Sequence, residues 1–305
     1  MTLSIVEPTE LVTLTQCPRK WYYSYKKRLR SKKIDPKLYL GSAVHQALDT
    51  YYETFEPDEA INQYRKYVAD TEKEIIRSSP NFGPEEYAEF KEANVLGEAM
   101  LVNYLSWAPA QDERDIGEVL STEQPWEIPM DNLGIVLAGR FDMVTLDNYG
   151  RTIVWDHKTA KQFLKPELLR KDLQMQLYSL AAQYLYRHGS TLSSVVAGVR
   201  VNQLRKSNPA TARVAVIKRD LIPGSNWALD QTEKTLKHLL VLRDYCYDYG
   251  ESLIFPAMAC TWQCRYSSIC EVANAGGDPS SIIADEYITI DRTPNYLRGV
   301  DTDDE

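Results

Sequence analysis

No run of about 18 apolar residues occurs anywhere in the chain, so no membrane-spanning helix is expected. The opening MTLSIVEPTE lacks the basic and apolar regions of a secretory signal, which points to the cytoplasm and to thiols kept reduced. No G-x-x-x-x-G-K-[ST] segment is present, which excludes a built-in P-loop ATP motor. Internal repeats, low-complexity blocks and a Gly/Ser linker are also missing. One main domain with a helical extension is the simplest reading.

What the chain does have is enough apolar residue, 44% of 305, for a sizeable core. Its formal charge of -8 argues against a protein that coats nucleic acid, because phosphate binding is driven by local Lys and Arg. The distribution is uneven, however. Residues 19–37, RKWYYSYKKRLRSKKIDPK, carry nine basic side chains with Trp21, Tyr22, Tyr23 and Tyr25 among them, whereas the chain ends DTDDE. Such a run can pair with phosphates and stack on bases, or it can be a solvated helix face with a few core aromatics.

Periodicity divides the chain by character. Residues 9–29 read as a helix that Pro18 must kink or restart, 42–54 as a second helix, and 58–107 as a long helical stretch. After Pro109 the pattern changes to short runs rich in Val, Ile, Thr and Trp, EVLSTEQPWEIPM, GIVLAGRFDMVTL and RTIVWDHKT, parted by the turn groups MDNLG and DNYG. A helix over 166–188, strands within 193–204 and 211–220, and a helix over 226–249 follow. The expected fold is therefore α/β, with a central mixed β-sheet flanked by helices. The expected regions are a helical part (1–110), an α/β core (111–250), a cysteine-rich segment (251–280) and an acidic tail (281–305).

Within GRFDMVTLDNYGRTIVWDHKTAK, Asp142 and Asp156 interrupt two apolar runs joined by a turn. In a strand Asp156 and Lys158 share a face and His157 points to the other, while the hairpin can bring Asp142 alongside. Two carboxylates held close repel each other and resist desolvation, and a divalent cation relieves both penalties. Hard oxygen donors suit Mg²⁺ or Mn²⁺. The plainer alternative is a pair of strand-end aspartates in a surface salt bridge with Lys158.

The surroundings weigh against that alternative. GRFDMV followed by DHK resembles the core of the PD-(D/E)XK nucleases, and more narrowly the RecB-type branch, whose pattern is G-x-x-D and then D-x-K. GSAVH is similar to that branch's G-x-x-x-H helix and QMQLY to its Q-x-x-x-Y helix, with Gln174 and Tyr178 one helical turn apart. The resemblance implies a restriction-endonuclease-like core. It also implies His45, Asp142, Asp156 and the backbone carbonyl of His157 as metal ligands, with Asp142, Asp156, Lys158, Gln174 and Tyr178 as the catalytic set. Lys158 would orient the attacking water or stabilise the pentavalent phosphorane. Glu123 stands where some relatives carry another acidic residue, and Glu127 competes for that place.

Five cysteines occur, at 17, 246, 260, 264 and 270. Clustered thiols in a reduced compartment point to metal, either structural zinc or an iron-sulfur cluster. One isolated cysteine before the core and a C-x3-C-x5-C triplet after it is similar to the iron-sulfur subgroup of RecB-type nucleases, which includes phage-encoded and CRISPR-associated exonucleases and the AddB nuclease domain. The resemblance implies a 4Fe-4S cluster on Cys17, Cys260, Cys264 and Cys270, stapling the two ends of the chain, with structural Zn²⁺ as the alternative. Cys246 fits no pattern and reads as an ordinary thiol.

The function these features imply is a metal-dependent DNA exonuclease acting on single strands or ends in recombination, repair or processing. It would work alone or beside a separate helicase, recombinase or CRISPR adaptation protein. A DNA-binding adaptor that keeps the fold without turnover, and an endonuclease of restriction type, are the competing readings.

Overall fold

Three β-branched runs separated by glycine turns build the framework that carries the site. The computed structural model describes residues 3–32, 36–78, 82–189, 192, 195–212, 215–253, 260 and 264–290. The chain divides into two units, one formed by 35–126 and 140–229 and the other by 1–34, 127–139 and 230–305.

In the first unit, β4 (Ile135–Leu146) pairs antiparallel with β5 (Thr152–Ala160), Met143 opposite Trp155 and Leu146 opposite Thr152. β5 then pairs parallel with β6 (Val196–Arg205), Asp156 beside Val201, and β6 pairs antiparallel with β7 (Ile217–Pro223). A parallel neighbour needs a crossover, and α6 (Pro166–Leu169) and α7 (Leu173–Arg187) supply it between β5 and β6. Residues 152–157 of β5 are all buried, as expected of a strand covered on both faces. Gly198 has φ 151°, and a Cβ there would lie 2.1 Å from the Ile222 carbonyl, so only glycine fits this close strand approach.

Helices α3 (Pro36–Thr54), α4 (Pro57–Ser78) and α5 (Pro84–Asp115) cover the sheet of this unit. Leu40, Val44, Leu48, Tyr51 and Tyr52 of α3 join Met100, Leu101 and Tyr104 of α5 and Met143, Ile153 and Trp155 of the sheet in one buried cluster. The sequence places the end of the helical region near Pro109, yet α5 continues to Asp115 with Pro109 inside it. Tertiary contacts hold the extra turn: Ala108 and Asp112 are buried, and Asp112 accepts from Arg219 at 2.7 Å.

Arg219 is the charge around which this face is organised. Its side chain is 6% exposed and reaches Asp112, Asp115 at 3.3 Å, the Tyr52 hydroxyl at 2.8 Å and the Tyr104 hydroxyl at 2.7 Å. Its guanidinium also lies 4.8 Å from the Trp107 ring centre and 5.0 Å from that of Trp155.

In the other unit, β1 (Ser4–Val6) runs parallel to the first residues of β4, Ser4 opposite Ile135. β3 (Glu118–Met130) pairs with β4 across a tight turn closed by Gly134 at φ 67°. The helix expected over 9–29 is instead three pieces, α1 (Pro8–Gln16), α2 (Pro18–Trp21) and a wider turn over Tyr22–Lys26, because Cys17 is extended (φ -165°, ψ 117°) before Pro18. β2 (Leu29–Ser31) and β8 (Tyr287–Thr289) form an antiparallel pair, Arg30 opposite Ile288. α8 (Asn226–Tyr249) enters this unit at residue 230, and α9 (Ser267–Asn274) and α10 (Ser280–Glu286) complete it. Trp21, Tyr22 and Tyr23 are buried with Leu14, Leu29, Cys246, Tyr266, Ile269 and Tyr287. Three of the four aromatics in the basic run are thus core residues, which removes them from any base-stacking role.

Taken together, a mixed sheet flanked by helices is the observed architecture. No helix among the described residues is long and apolar enough to cross a membrane. Arg219→Ala strands the buried Asp112 without its cation, and a loss of about 3–5 kcal/mol in urea-induced unfolding is expected.

Candidate active site

Strand pairing places the acidic centre. With Met143 opposite Trp155, the next step of the ladder sets Asp142 against Asp156, on the face that Gln174 of α7 reaches. The His157 backbone N–H donates to Asp142 Oδ2 at 2.6 Å. From α3, His45 brings its Nδ1 to 3.6 Å from Asp142 Oδ2, and the His157 backbone carbonyl hydrogen-bonds the His45 ring. The His157 side chain points the other way, stacked on Tyr52 with ring centres 5.9 Å apart and with its Nδ1 3.0 Å from Asn202.

Lysine and amide form the second half of the centre. Lys158 Nζ lies 2.9 Å from Asp156 Oδ2 and donates to Gln174 Oε1 at 3.1 Å. Gln174, on the first turn of α7, turns its amide nitrogen to Asp156 Oδ1 at 3.3 Å and to the Tyr178 hydroxyl at 3.1 Å. The α7 start is fixed by Asp172, whose side chain accepts from the Met175 N–H at 3.2 Å. Tyr178 is packed edge-on against Trp126 and Phe141. The structure therefore brings together every residue that the sequence placed in the catalytic and metal-binding sets: His45, Asp142, Asp156, His157 through its backbone, Lys158, Gln174 and Tyr178.

Glu123 carries more than the sequence suggested. His45, Glu123 and Asp142 each offer an atom within 4.8 Å of the others, the metal-capable group among the described residues. Glu123 holds φ 46° within β3, a left-handed conformation costing about 1–2 kcal/mol for a residue with a Cβ. It meets Arg140 Nε at 2.7 Å. Arg140 and Asp49, one helical turn after His45, are further charged groups of this centre that sequence reasoning passed over. The i, i+4 spacing of His45 and Asp49 was the signal available for one of them.

Electrostatics follow from burial among like charges. Burial first, and Asp156 second, push the Asp142 carboxyl up to about 8. Burial and then Asp142 raise Glu123 to about 7. His45 is lowered, chiefly by desolvation. Burial pulls the Lys158 ammonium down, but Asp156 outweighs it and the net shift is upward. Asp156 Oδ2 and Asp49 Oδ1 are buried with no hydrogen-bond partner among the described residues, although Lys158 neutralises the former. Crowded carboxylates, an imidazole and orphaned oxygens fit a hard divalent cation such as Mg²⁺ or Mn²⁺.

The cysteines lie in the other unit. Burial raises the Cys270 thiol, which also feels Arg19, Cys264 and Cys17. Burial and then Cys17 raise Cys246, which is fully buried. Cys17, Cys264 and Cys270 thus share one electrostatic neighbourhood, with Cys246 beside Cys17. Cys260 is exposed. Among the described residues the metal-capable groups include no set of three cysteines.

A family model described as the PD-(D/E)XK nuclease superfamily matches residues 6–271. Among solved structures, a protein from Eubacterium rectale provisionally named an exonuclease aligns with TM-score 0.51 and 11% identity, over 86% of this chain and 88% of that one. The structure of SSO0001 aligns with TM-score 0.36 and 17% identity, over 88% of this chain and 85% of that one. No curated protein matches the sequence.

Because Asp142 and Glu123 hold protons well above the usual carboxylate range, a cation must displace them. At Asp142 and Glu123 the folded metal-free protein holds protons that the unfolded chain releases, so the contribution of these two carboxyls to stability falls as pH rises between about 4 and about 8, while the lowered His45 and His157 act in the opposite sense. Mn²⁺ affinity, followed by calorimetry, is expected to rise from about pH 6 to about pH 8 with proton release, and Glu123→Gln to weaken it by about tenfold or more.

Proposed function

From its membership of the PD-(D/E)XK nuclease superfamily, matched over residues 6–271, we propose that this protein is a metal-dependent deoxyribonuclease that trims single-stranded DNA or DNA ends. The observation that carries the proposal is the convergence of His45, Asp142, Asp156 and Lys158 on one face of β4 and β5, with Gln174 bridging lysine and carboxylate. The exonuclease name of the Eubacterium rectale structure agrees with the preference for ends, although that likeness speaks for the fold alone.

His45, Asp142, Asp156, Glu123 and the His157 carbonyl are the groups that would hold Mg²⁺ or Mn²⁺. Such an ion supplies a Lewis acid that acidifies water and neutralises charge on the scissile phosphate. Lys158 presents an ammonium at a fixed point, gripped by Asp156 and Gln174, from which it orients the attacking water or stabilises charge gathering on the phosphate. Gln174 sets the Lys158 rotamer, and the Tyr178 hydroxyl sets Gln174. Arg140 is the counter-ion of Glu123 and restrains its carboxylate.

We further infer that Cys17, Cys260, Cys264 and Cys270 hold an iron-sulfur cluster. The shared neighbourhood of Cys17, Cys264 and Cys270 supports a metal site on these thiols. Iron, sulfide and zinc analysis of anaerobically purified protein separates a cluster from structural zinc: zinc without iron would end the cluster reading.

Labelled single-stranded and duplex DNA incubated with Mn²⁺ tests the activity. Wild type is expected to shorten single strands from an end, Lys158→Ala to be slower by about 100-fold or more, and Asp156→Ala to be inactive. Equal behaviour of wild type and Asp156→Ala, with binding retained, would leave only an adaptor.

A further inference from the structure

The hydrogen bond from Lys158 Nζ to Gln174 Oε1 closes a loop, because residues 159–173 leave the centre at the end of β5 and return to it at the first turn of α7. Sheet register shows which face this loop crosses. Gln203 of β6 lies beside Lys158 of β5 and opposite Lys218 of β7, so its side chain falls on the face that Asp156 and Lys158 share. Gln203 is 1% exposed and grips the loop by both groups of one peptide unit, accepting from the Leu164 N–H at 2.7 Å and donating to the Leu164 carbonyl at 3.2 Å. Two residues on and on the same face, Arg205 donates its Nε to the Lys161 carbonyl at 3.2 Å. Leu169 is fully buried. The connection from β5 to α7 is thus fastened over the catalytic face.

Its charge is opposite to that of the whole chain. Residues 161–171, KQFLKPELLRK, carry Lys161, Lys165, Arg170 and Lys171 against the single carboxylate of Glu167, in a protein of formal charge -8. The four cations are exposed, and among the described residues none is in an ion pair. Neighbouring carboxylates are already engaged. Asp220 is held by Lys218 at 2.9 Å and by Gln203 at 3.1 Å, and Asp172 accepts from the Met175 N–H. Both ends of the cationic segment adjoin the catalytic lysine. Lys161 follows Lys158 by three residues, at most about 11 Å of extended chain. Arg170 and Lys171 precede Asp172, whose charge reaches Lys158. Phosphates of one strand recur about every 3.4 Å of duplex axis, so cations at this range meet the neighbours of any phosphate that Lys158 addresses. An ordinary solvated charge run has no reason to begin and end at one buried ammonium.

We propose that residues 161–171 form a clamp for the sugar-phosphate backbone of the DNA substrate, with Lys161, Arg170 and Lys171 taking phosphates next to the scissile one. This deepens the nuclease reading and rests on it. Gln203 is the positioning residue that keeps the clamp against the catalytic face. Ammonium and guanidinium groups on phosphate oxygens set register and carry no sequence information, so binding follows charge and not base identity. Single strands and duplex share this backbone, and the clamp takes either.

The test uses the full-length chain. Binding of a fluorescein-labelled oligothymidylate and, in a second arm, of a mixed-sequence duplex is read by anisotropy over a salt series without divalent cation, and cleavage with Mn²⁺ is measured in parallel. The double variant Arg170→Ala, Lys171→Ala is expected to bind the oligonucleotide about tenfold or more weakly. Its plot of log affinity against log salt is expected to be shallower by about 1.4, which is about 0.7 for each lost phosphate contact, and by about 1.8 on duplex. Adding Lys161→Ala takes a further step of the same kind. Melting temperature and Mn²⁺ affinity stay as in wild type, because the substituted side chains are exposed. Arg170→Lys, Lys171→Arg keeps both charges and is expected to bind as wild type does. Lys234→Ala, Lys237→Ala removes the same charge from α8 and is expected to leave affinity and slope alone. Wild-type affinity and slope in the Arg170, Lys171 alanine variant overturn the clamp and leave the nuclease reading standing if cleavage persists. An equal loss in the α8 variant also overturns it, since net charge would then account for the effect. A wild-type protein that neither cleaves nor binds DNA overturns both.

Discussion

The mutual repulsion of Asp142 and Asp156 is the constraint around which the site is arranged. Strand pairing brings the two carboxylates side by side, Asp156 buried and Asp142 half-buried. Each neighbour answers that repulsion in its own way. The His157 N–H holds Asp142, Lys158 neutralises Asp156, Gln174 divides its amide between lysine and carboxylate, and Arg140 balances Glu123. Burial first, and Asp156 second, still hold the Asp142 carboxyl up at about 8, and a further positive charge would oppose both. A site left in electrostatic deficit by its own fold is a site prepared for a cation.

The opposite face of β5 explains why the deficit is tolerated. His157 stacks on Tyr52 and meets Asn202, Asn202 donates to the Tyr104 hydroxyl at 2.9 Å, and Arg219 ties both tyrosines to Asp112 and Asp115. This polar network is largely buried and tied together by ionic and aromatic contacts, with Asp112 Oδ2 the atom left without a hydrogen bond among the described residues, so it resists rearrangement. A strand clamped from behind keeps its repelling carboxylates in register in front, and a strained residue such as Glu123 can persist because its surroundings over-determine it.

In the other unit, aromatic packing joins segments far apart in the chain. Trp21, Tyr22 and Tyr23 meet Tyr266 and Tyr287, and the Tyr266 hydroxyl donates to the Leu29 carbonyl at 2.8 Å. Cys246 is buried within that packing, and Cys264 and Cys270 lie against it, so their chemistry is linked to the burial that also fastens residues 14–29 to residues 264–287. The same burial withdraws three aromatics from the surface.

Sequence and tertiary structure divided the work along physical lines. Alternation in GRFDMVTL and RTIVWDHKT determined that Asp156 and Lys158 share a face and His157 does not, because a strand's side-chain period is fixed at two. Helical spacing likewise determined that Gln174 and Tyr178 lie together, and the boundaries of α8 were legible to the residue. Long-range packing decided the rest. The break before Pro18 was legible too, but Pro109 lies inside a helix and Trp21, Tyr22 and Tyr23 turn inward, because each depends on partners far away in the chain that local propensity does not register. Glu123 was the hardest to read for the same reason: its side chain joins His45 and Asp142 only through a left-handed φ, a backbone choice that no residue type at that position announces.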